Sequence, residues 1–254
     1  MASSCTSNVT SGVIDLATFD EIEKYLYGGP DATAYFVRET RKSTWFTQVP
    51  VVLSRASGSP AFGQEWAVSI SRAGDYLLHT WLRLQTPQVE LLTANPSGFT
   101  LVRWTRNFMH NIIRECCITF NDLVAARFDN YHLDFWSAFT VPAGKRNGYN
   151  NMIGNFGSLT QPKPVFTANS SNFLPAVTLN LPLPFFYSRD SGVALPTAAL
   201  PYNEMRINFS FRDWTELLIG ANAAAPATGV GAGEQRIAVK ASDLATGEPT
   251  LGVT

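Results

Sequence analysis

Charged residues are scarce in this sequence. Asp, Glu, Lys and Arg together make up 15% of its 254 residues, whereas they form about a quarter of a typical globular domain. The formal net charge is −1, and the 19 Lys and Arg residues are scattered along the chain. A nucleic-acid-binding protein needs clustered basic side chains that displace counterions from phosphates. The charge pattern therefore argues against direct binding of nucleic acid.

Cysteines and long apolar runs are also few. Three cysteines are too few for the disulfide framework of a small secreted domain. No apolar run approaches the roughly 20 residues that span a bilayer. Residues 1–10 are polar and lack the basic and then apolar pattern of a signal peptide. These absences predict a protein that is made and kept in the cytosol.

Hydrophobic and aromatic residues, in contrast, are abundant. Hydrophobic residues make up 45% of the chain and aromatic residues 12%. A chain of this length is long enough to bury a sizeable core. The balance is typical of a protein whose surface is largely covered by partners, and equally of one with an unusually large core. Composition leaves both alternatives open.

Apolar and polar residues alternate along several segments, which predicts half-buried strands. The clearest example is Met205 to Phe211, where every second residue is apolar. The other predicted apolar faces are formed by Trp66, Val68 and Ile70; by Tyr76, Leu78, Leu82 and Leu84; by Ile112, Cys116, Ile118 and Phe120; and by Val177, Leu179, Leu181, Leu183 and Phe185. Residues 49–53 are also strand-like. Pro182 and Pro184 remove two N–H groups from one side of their strand, which predicts an edge strand or a bulge.

One segment has helical spacing, and two others are rich in turn-forming residues. The aromatic stripe of a predicted helix consists of Phe128, His132, Phe135, Trp136 and Phe139. Residues 144–175 and 188–201 are rich in Gly, Asn, Ser and Pro and are predicted to be long loops, which often carry interactions.

At least six strands with one or two inserted helices predict an antiparallel β-sandwich. Among sandwiches, the jelly roll tolerates long inserted loops.

Several short segments occur in one fixed order along the chain. They are Ser11–Ala17, Tyr27–Gly29, Ala61–Glu65, Arg72–Tyr76, Met109–Ile112, Phe120–Asp122, Gly148–Asn155, Leu181–Gly192 and Leu200–Glu204. This collinear series, from about Val9 to Leu218, resembles the major capsid protein of iridoviruses, which belong to the nucleocytoplasmic large DNA viruses. The long run around Arg189-Asp190-Ser191-Gly192 makes the resemblance specific.

The resemblance implies an all-β protein of two tandem antiparallel jelly-roll β-sandwiches with short inserted helices, of which this chain holds the first. Residues 1–30 would form an N-terminal arm and a short helix, and residues 31–218 the first jelly-roll domain. Residues 219–254 would form a linker and the start of a truncated second jelly-roll domain. Residues 220–233 have the Ala- and Gly-rich composition of a linker.

The resemblance also implies a structural protein and not an enzyme. Three copies would form a pseudo-hexagonal capsomer, and capsomers would tile an icosahedral shell over an internal lipid membrane. Minor capsid proteins would be further partners, and the protein would be assembled in the host cytoplasm and reside in the virion. A closed ring of heterologous contacts produces threefold symmetry, and obligate interfaces of this kind are large and apolar.

Three histidines could supply an imidazole base, and each has a simpler interpretation. His132 lies on the aromatic stripe and is predicted to be a core residue, while His79 lies on the mixed face of a strand. His110 begins a predicted strand beside Asn111 and is expected to hydrogen-bond to the backbone. No Gly-x-Ser-x-Gly motif is present. The sequence therefore predicts no catalytic residues.

No metal or cofactor site is predicted either. The sequence lacks His-Glu-x-x-His and Cys-x-x-Cys motifs. Cys116 and Cys117 alternate across a predicted strand, so Cys116 is expected to be buried and Cys117 half-exposed. Residues 229–233 look like part of a phosphate-binding loop but lack the following Lys-Ser or Lys-Thr. Asp190 is expected to order its loop through an ion pair with Arg189.

Two other functions are alternatives to a coat protein. A carbohydrate-binding, lectin-like sandwich shares the architecture, because a fold does not determine a function. A hydrolase with His132 as its base is the third hypothesis, and the missing catalytic motifs argue against it. The collinear resemblance favours the structural coat subunit.

Overall fold

A computed structural model describes residues 40–92, 97, 101–161, 163–164, 173–222 and 235–253, with residues 10, 12–14 and 17 near the N-terminus. The chain divides into two compact units, Met1–Val49 and Pro50–Thr254. In the first unit, residues 10, 12–14 and 17 are helical, and residues 40–49 have no regular secondary structure. The arm and short helix predicted for residues 1–30 lie largely outside the described residues.

The second unit is built mainly of short strands. They are β1 Arg55–Gly58, β2 Glu65–Ser69, β3 Trp81–Gln85, β4 Val89–Glu90, β5 Leu101–Trp104, β6 Ile113–Phe120, β7 Leu123–Asp129, β8 Lys163–Pro164, β9 Phe173–Leu174, β10 Thr178–Pro182, β11 Met205–Phe211, β12 Leu218–Asn222, β13 Gln235–Ala238 and β14 Gly252–Val253. Every described strand pair is antiparallel. The predicted all-β, antiparallel class is therefore confirmed.

Short helices are inserted between these strands. The α-helices are α1 Phe108–Ile112, α2 Asn130–Thr140, α3 Ala143–Ile153, α4 Gly157–Thr160 and α5 Trp214–Leu217, and 3-10 turns occur at Phe186–Ser188, Ser191–Val193, Thr197–Ala199 and Ala241–Asp243. None of the described helices has the length and apolar character needed to cross a membrane. α2 contacts β6 and β7, and α3 contacts β10.

The strands form sheets whose neighbours are distant in sequence. The largest has the order β1-β2-β11-β6-β7, and a four-stranded sheet has the order β13-β12-β5-β8. A three-stranded sheet has the order β10-β3-β14, and β4 pairs with β9. Because β11 lies between β2 and β6, a strand late in the chain is inserted between two early ones. Non-local pairing of this kind is typical of Greek-key and jelly-roll sandwiches.

The alternating strand patterns place apolar side chains in one hydrophobic core. In β11 every second side chain is buried, and the intervening ones are partly exposed. The rings of Trp66 and Phe209 stack across β2 and β11, with 4.6 Å between their centroids. β11 is hydrogen-bonded along both edges, so its register and its inward face are firmly specified. The predicted faces of β2, β10 and β11 are confirmed.

Pro182 lies in an edge strand, as predicted, whereas Pro184 lies after the end of that strand. β10 pairs with β3, where Pro182 lies opposite Trp81, and it is the outermost strand of its sheet. The backbone N–H of Leu183 still donates to the Thr80 carbonyl at 3.0 Å. Prolines are tolerated here because their missing N–H groups do not interrupt a central ladder.

Several strand predictions extended too far, and Ile112, which the sequence assigned to a strand face, lies in α1. Residues 50–53 have no regular secondary structure, and Val51 and Val52 are exposed. The long strand predicted from Tyr76 begins only at Trp81, and Leu77 forms an isolated bridge to Leu195. Alternation is a local signal, whereas a strand also needs a neighbour that pairs with its backbone.

The long loop predicted for residues 144–175 was partly wrong. It contains most of α3, all of α4, β8 and β9. α3 packs against β10, buries Ile153 and ends at Gly154, whose φ is 82°. A Cβ at Gly154 would lie 2.8 Å from the Leu179 side chain. Tertiary contacts thus stabilise a helix whose Gly and Asn content is unfavourable by itself.

The residues after 218 join the sheets already described. β12 pairs with β5 and with β13, while β14 pairs with β3. Val239 and Leu244 belong to the same hydrophobic core as the earlier strands. The described part of residues 219–254, which the sequence assigned to a linker and the start of a second domain, therefore packs with the earlier strands of the second unit. The position at which a second jelly roll begins stays a prediction.

Candidate interaction surface

α2 begins directly where β7 ends. The Asp129 carboxylate accepts a hydrogen bond of 2.8 Å from the backbone N–H of His132 and so caps the helix. Such a cap satisfies one of the free N–H groups in the first turn of a helix. At the other end, the Arg146 guanidinium donates to the carbonyls of Ala138 and Val141, each at 3.2 Å. Both ends of α2 are therefore held by side chains.

One part of the predicted aromatic stripe packs against the body of the protein. The rings of His132 and Trp136 are stacked, with 6.1 Å between centroids and 13° between planes. The Arg189 guanidinium lies 5.6 Å from the centroid of the Trp136 ring, within the range of a cation–π contact. Phe128 contacts both His132 and Phe185. His132 thus packs among aromatic rings but is only half-buried, and it is not the core residue that the sequence predicted.

Phe135 and Phe139 of the stripe point outward, together with Tyr131, which the sequence did not assign to the stripe. Tyr131, Phe135 and Phe139 are 73%, 57% and 77% exposed. The rings of Phe135 and Phe139 meet edge to face, with 4.9 Å between centroids. The prediction of a single aromatic stripe was wrong at this point, because Leu133 and Ser137 form the buried side of the helix. We refer to Tyr131, Phe135 and Phe139 together as the aromatic surface.

The aromatic surface carries no charge of its own. α2 contains no Lys or Arg, and Asp134 is its one acidic residue. The Asp134 carboxylate turns towards α1, where it accepts hydrogen bonds from His110 and Asn107. Exposed aromatic side chains that lie together without charge are enriched at protein–protein interfaces.

A buried hydrogen-bond network fixes α2 to its neighbours. His110 on α1 is fully buried, and its Nδ1 lies 2.6 Å from Asp134 Oδ1 on α2. Its Nε2 lies 2.8 Å from the Tyr149 hydroxyl on α3. Because a carboxylate only accepts, Nδ1 donates the bond to Asp134. The network therefore joins three helices through one imidazole, and fully satisfied buried networks of this kind rigidify a structure.

The network has the carboxylate–imidazole–hydroxyl order of a hydrolase triad, but its properties are structural. Burial, followed by the nearby Asp134 charge, raises the pKa of Tyr149 to about 12. Its hydroxyl keeps its proton at neutral pH and is a poor nucleophile. Two surface cavities, of about 400 and 410 Å³, are lined by other residues. That this protein has no catalytic residues therefore stays a prediction.

Sequence reasoning missed the role of His110. It expected a backbone hydrogen bond at the start of a strand, whereas His110 lies in α1 and bonds to two side chains. Its partners are 24 and 39 residues away along the chain. No local pattern relates residues at such separations, so the network could not be found from spacing.

The remaining candidates have plain structural roles. Cys116 is buried, and burial raises the pKa of its thiol well above the usual value. Cys117 is half-buried, as predicted. Asp190 accepts from the Gly192 N–H, and the described ion pairs do not include the expected Arg189–Asp190 pair. No group of metal-ligating side chains is found among the residues that the structure describes.

Comparisons with known proteins agree with this architecture. A family model described as "Major capsid protein N-terminus" matches residues 34–246. The "Major capsid protein" of Costelytra zealandica iridescent virus is 73% identical over 219 residues, which is 86% of this chain and 47% of that protein. That of Invertebrate iridescent virus 6 is 70% identical over 224 residues, which is 88% of this chain and 48% of that protein. The chain thus spans about half the length of these relatives.

A solved structure shows the same fold at low sequence identity. The Faustovirus major capsid protein superposes with a TM-score of 0.52 and 13% identity, covering 72% of this chain and 46% of that chain. This likeness concerns the fold alone, and it confirms the predicted jelly-roll class. The relatives compared here are named as major capsid proteins and not as enzymes. By its match to the family model and its identity to the iridescent virus proteins, the chain belongs to the major capsid protein family of iridoviruses.

Proposed function

We propose that this chain is the first jelly-roll part of a subunit that self-assembles in threes into pseudo-hexagonal capsomers, which tile an icosahedral virion shell. The observation that carries the proposal is the uncharged aromatic surface of α2. Asp129 caps this helix, and the contact between His110 and Asp134 fixes it to α1. A contiguous patch of exposed aromatic side chains is often a functional contact site, and a subunit with several neighbours would bury it.

The composition supports the same proposal. A charged fraction of 15% and an aromatic fraction of 12% suit a protein whose surface is mostly shared with neighbours. Obligate interfaces are large and apolar, and they resemble a domain core cut in half. Three identical subunits close a ring through heterologous contacts, in which two different patches of each subunit meet.

The wider organisation is proposed on the resemblance to the family. A second jelly roll would follow this chain in the complete subunit, and residues 31–218 would form most of the first. Minor capsid proteins would join neighbouring capsomers, the shell would lie over an internal lipid membrane, and assembly would occur in the host cytoplasm. The scattered basic residues support a shell protein that does not bind the genome directly.

The native mass of the full-length protein tests the proposal. Light scattering on a sizing column is expected to give three times the mass of one chain for protein isolated from virions and for recombinant protein. A stable monomer at all accessible concentrations would contradict self-assembly. A dimer or a tetramer would contradict threefold closure while leaving the structural role in place.

A further inference from the structure

We propose that, in the complete subunit, the polypeptide that follows Val253 continues β14 as a longer strand along β3, so that the second jelly roll begins on a sheet of the first. The inference rests on the proposed function, in which a second jelly roll follows this chain. This chain spans about half the length of its relatives, and the matching family model describes an N-terminal part. The inference adds the surface on which the two domains would be joined: the backbone N–H and C=O groups along one edge of β3.

The hydrogen bonds next to β3 show which edge each of its backbone groups faces. The N–H of Thr86, directly after β3, donates to the carbonyl of Val177, directly before β10, at 2.9 Å. Successive residues of an antiparallel strand direct their backbone groups to alternate edges. The groups of Trp81, Arg83 and Gln85 therefore face away from β10, towards the edge where β14 lies.

β14 occupies one end of this edge. It pairs with Gln85 and Leu84, and because the pairing is antiparallel the chain at Val253 runs towards Arg83 and Trp81. On the other side of β3, β10 pairs with every residue of the strand. Among the described strands, none pairs with Arg83 or Trp81 on the β14 side. Their N–H and C=O groups thus form an open edge in the direction in which the chain already runs.

The segment before β14 is fixed to the same domain. Asp243 is fully buried, and its carboxylate accepts hydrogen bonds from the Ser97 N–H at 3.1 Å, the Ser97 hydroxyl at 2.9 Å and the Lys240 N–H at 2.8 Å. The neighbouring Leu244 is buried and forms a bridge to Leu91. A buried carboxylate is stable only while its donors stay in place. The chain therefore reaches β14 as part of the first jelly roll and leaves it in a defined direction.

Gly252 lets β14 approach β3 closely. A Cβ at this position would lie 3.2 Å from the Cβ of Gln85, which lies directly opposite. Glycine within a strand often marks a place where two backbones approach closely. The pairing at Gly252 is therefore made by the backbone, and backbone pairing is also what Arg83 and Trp81 offer to the residues that follow.

The same polypeptide is a better occupant of the open edge than a neighbouring subunit. Open strand edges invite pairing, and proteins commonly cover them. A strand that is already paired at Gly252 and Val253 extends an existing ladder, so it loses less freedom than a strand brought from another molecule. A strand from a neighbour would also have to occupy the space into which the chain runs after β14.

Hydrogen exchange of the full-length wild-type protein, measured at single amides by mass spectrometry, tests the inference. The amides of Trp81 and Arg83 should exchange as slowly as that of Leu82, which bonds to β10, and roughly 100-fold or more slowly than that of Asn180. Asn180 is the matched control: it lies three residues after Val177, so its N–H faces the outer edge of β10, where no described strand follows. Exchange of Trp81 and Arg83 as fast as that of Asn180 would overturn the inference.

The same measurement on trimers and on monomers obtained by dilution identifies the polypeptide that covers the edge. Protection of Trp81 and Arg83 that persists in the monomer supports the inference. Protection that is lost on dissociation would overturn it in favour of a strand from a neighbouring subunit. A protein that never forms trimers would contradict the proposed threefold assembly, whereas the exchange of these two amides would still decide the inference.

Proline substitutions in the full-length protein test the open N–H groups independently. Arg83→Pro removes an N–H that faces the β14 edge and leaves the hydrogen bonds to β10 in place. Its urea midpoint should fall well below that of Arg83→Ala, which keeps the N–H. Asn180→Pro should differ little from Asn180→Ala, because the outer edge of an edge strand tolerates proline. An equally small effect of proline at both positions would show that the edge of β3 stays open and would overturn the inference.

Discussion

Phenylalanine side chains lie in opposite environments in β11 and α2. Phe209 and Phe211 in β11 are 5% and 1% exposed, whereas Phe135 and Phe139 in α2 are 57% and 77% exposed. Both pairs belong to periodic apolar patterns of the sequence, at the spacing of a strand and of a helix. The difference shows that a periodic pattern identifies the element more reliably than it identifies the face that the element buries.

The physical reason lies in how each element meets its neighbours. A strand has two faces, and the hydrogen bonds of β11 to β2 and β6 hold one of them against the core. A helix presents side chains in every direction, and α2 turns Leu133 and Ser137 inward. The position of that buried side is decided by contacts with α1, β6 and β7. Aromatic residues then remain outside, where they are available for a partner.

The largest expected effect comes from removing an inward phenylalanine. Phe209→Ala should lower the free energy of unfolding by about 3–5 kcal/mol, because it leaves a cavity beside Trp66. Phe139→Ala, the matched change on the exposed surface, should alter it by less than about 0.5 kcal/mol. Urea unfolding followed by circular dichroism measures both. Similar losses for the two variants would contradict the assignment of inward and outward faces.

A smaller effect is expected from breaking the hydrogen-bond network of Asp134, His110 and Tyr149, which joins α2 to α1 and α3. His110→Ala removes the partner of Asp134 and Tyr149 and should destabilise the protein by about 1–3 kcal/mol. Tyr149→Phe, which deletes one hydrogen bond of the network, should have a smaller effect. Thermal unfolding of the two variants, with hydrogen exchange across residues 130–140, measures the loss. Unchanged exchange in α2 after His110→Ala would show that the network does not hold this helix.

The smallest of the three effects is expected at the cap of α2. Asp129→Ala should cost about 1 kcal/mol, because the His132 N–H loses its acceptor. Asp129→Asn keeps a side-chain oxygen at the cap and should recover most of the stability. Urea midpoints of the two variants provide the measurement. Equal losses for Ala and Asn would assign the effect to the charge and not to the cap.

Much of the sheet structure could be predicted from particular residues. The alternation of Met205 to Phe211 predicted β11 and its buried face, and Pro182 and Pro184 predicted an edge strand. These predictions succeeded because strand periodicity and the missing proline N–H act locally. The same local reasoning failed at α3, where a Gly- and Asn-rich helix is stabilised by packing on β10.

The candidate site could be predicted only in part. His132 and Trp136 were correctly grouped, because residues four apart lie on one side of a helix, whereas Phe128 lies in β7 and its assignment to the helix was wrong. The outward direction of Phe135 and Phe139 depends on which side of α2 meets the sheet, and spacing within the helix does not contain that information. The Asp134–His110–Tyr149 network depends on three helices that meet in space.

Local patterns and ordered motifs were enough to establish the fold class, the buried faces of β2, β10 and β11, the edge strand, the helix after β7 and the family. These features follow from local periodicity and from residue identity, which a single chain carries in full. Tertiary structure alone decided that β11 lies between β2 and β6, that α3 is a helix, and which side of α2 remains exposed. Each of these depends on contacts between residues far apart in the chain, where burial and hydrogen bonding outweigh local preference.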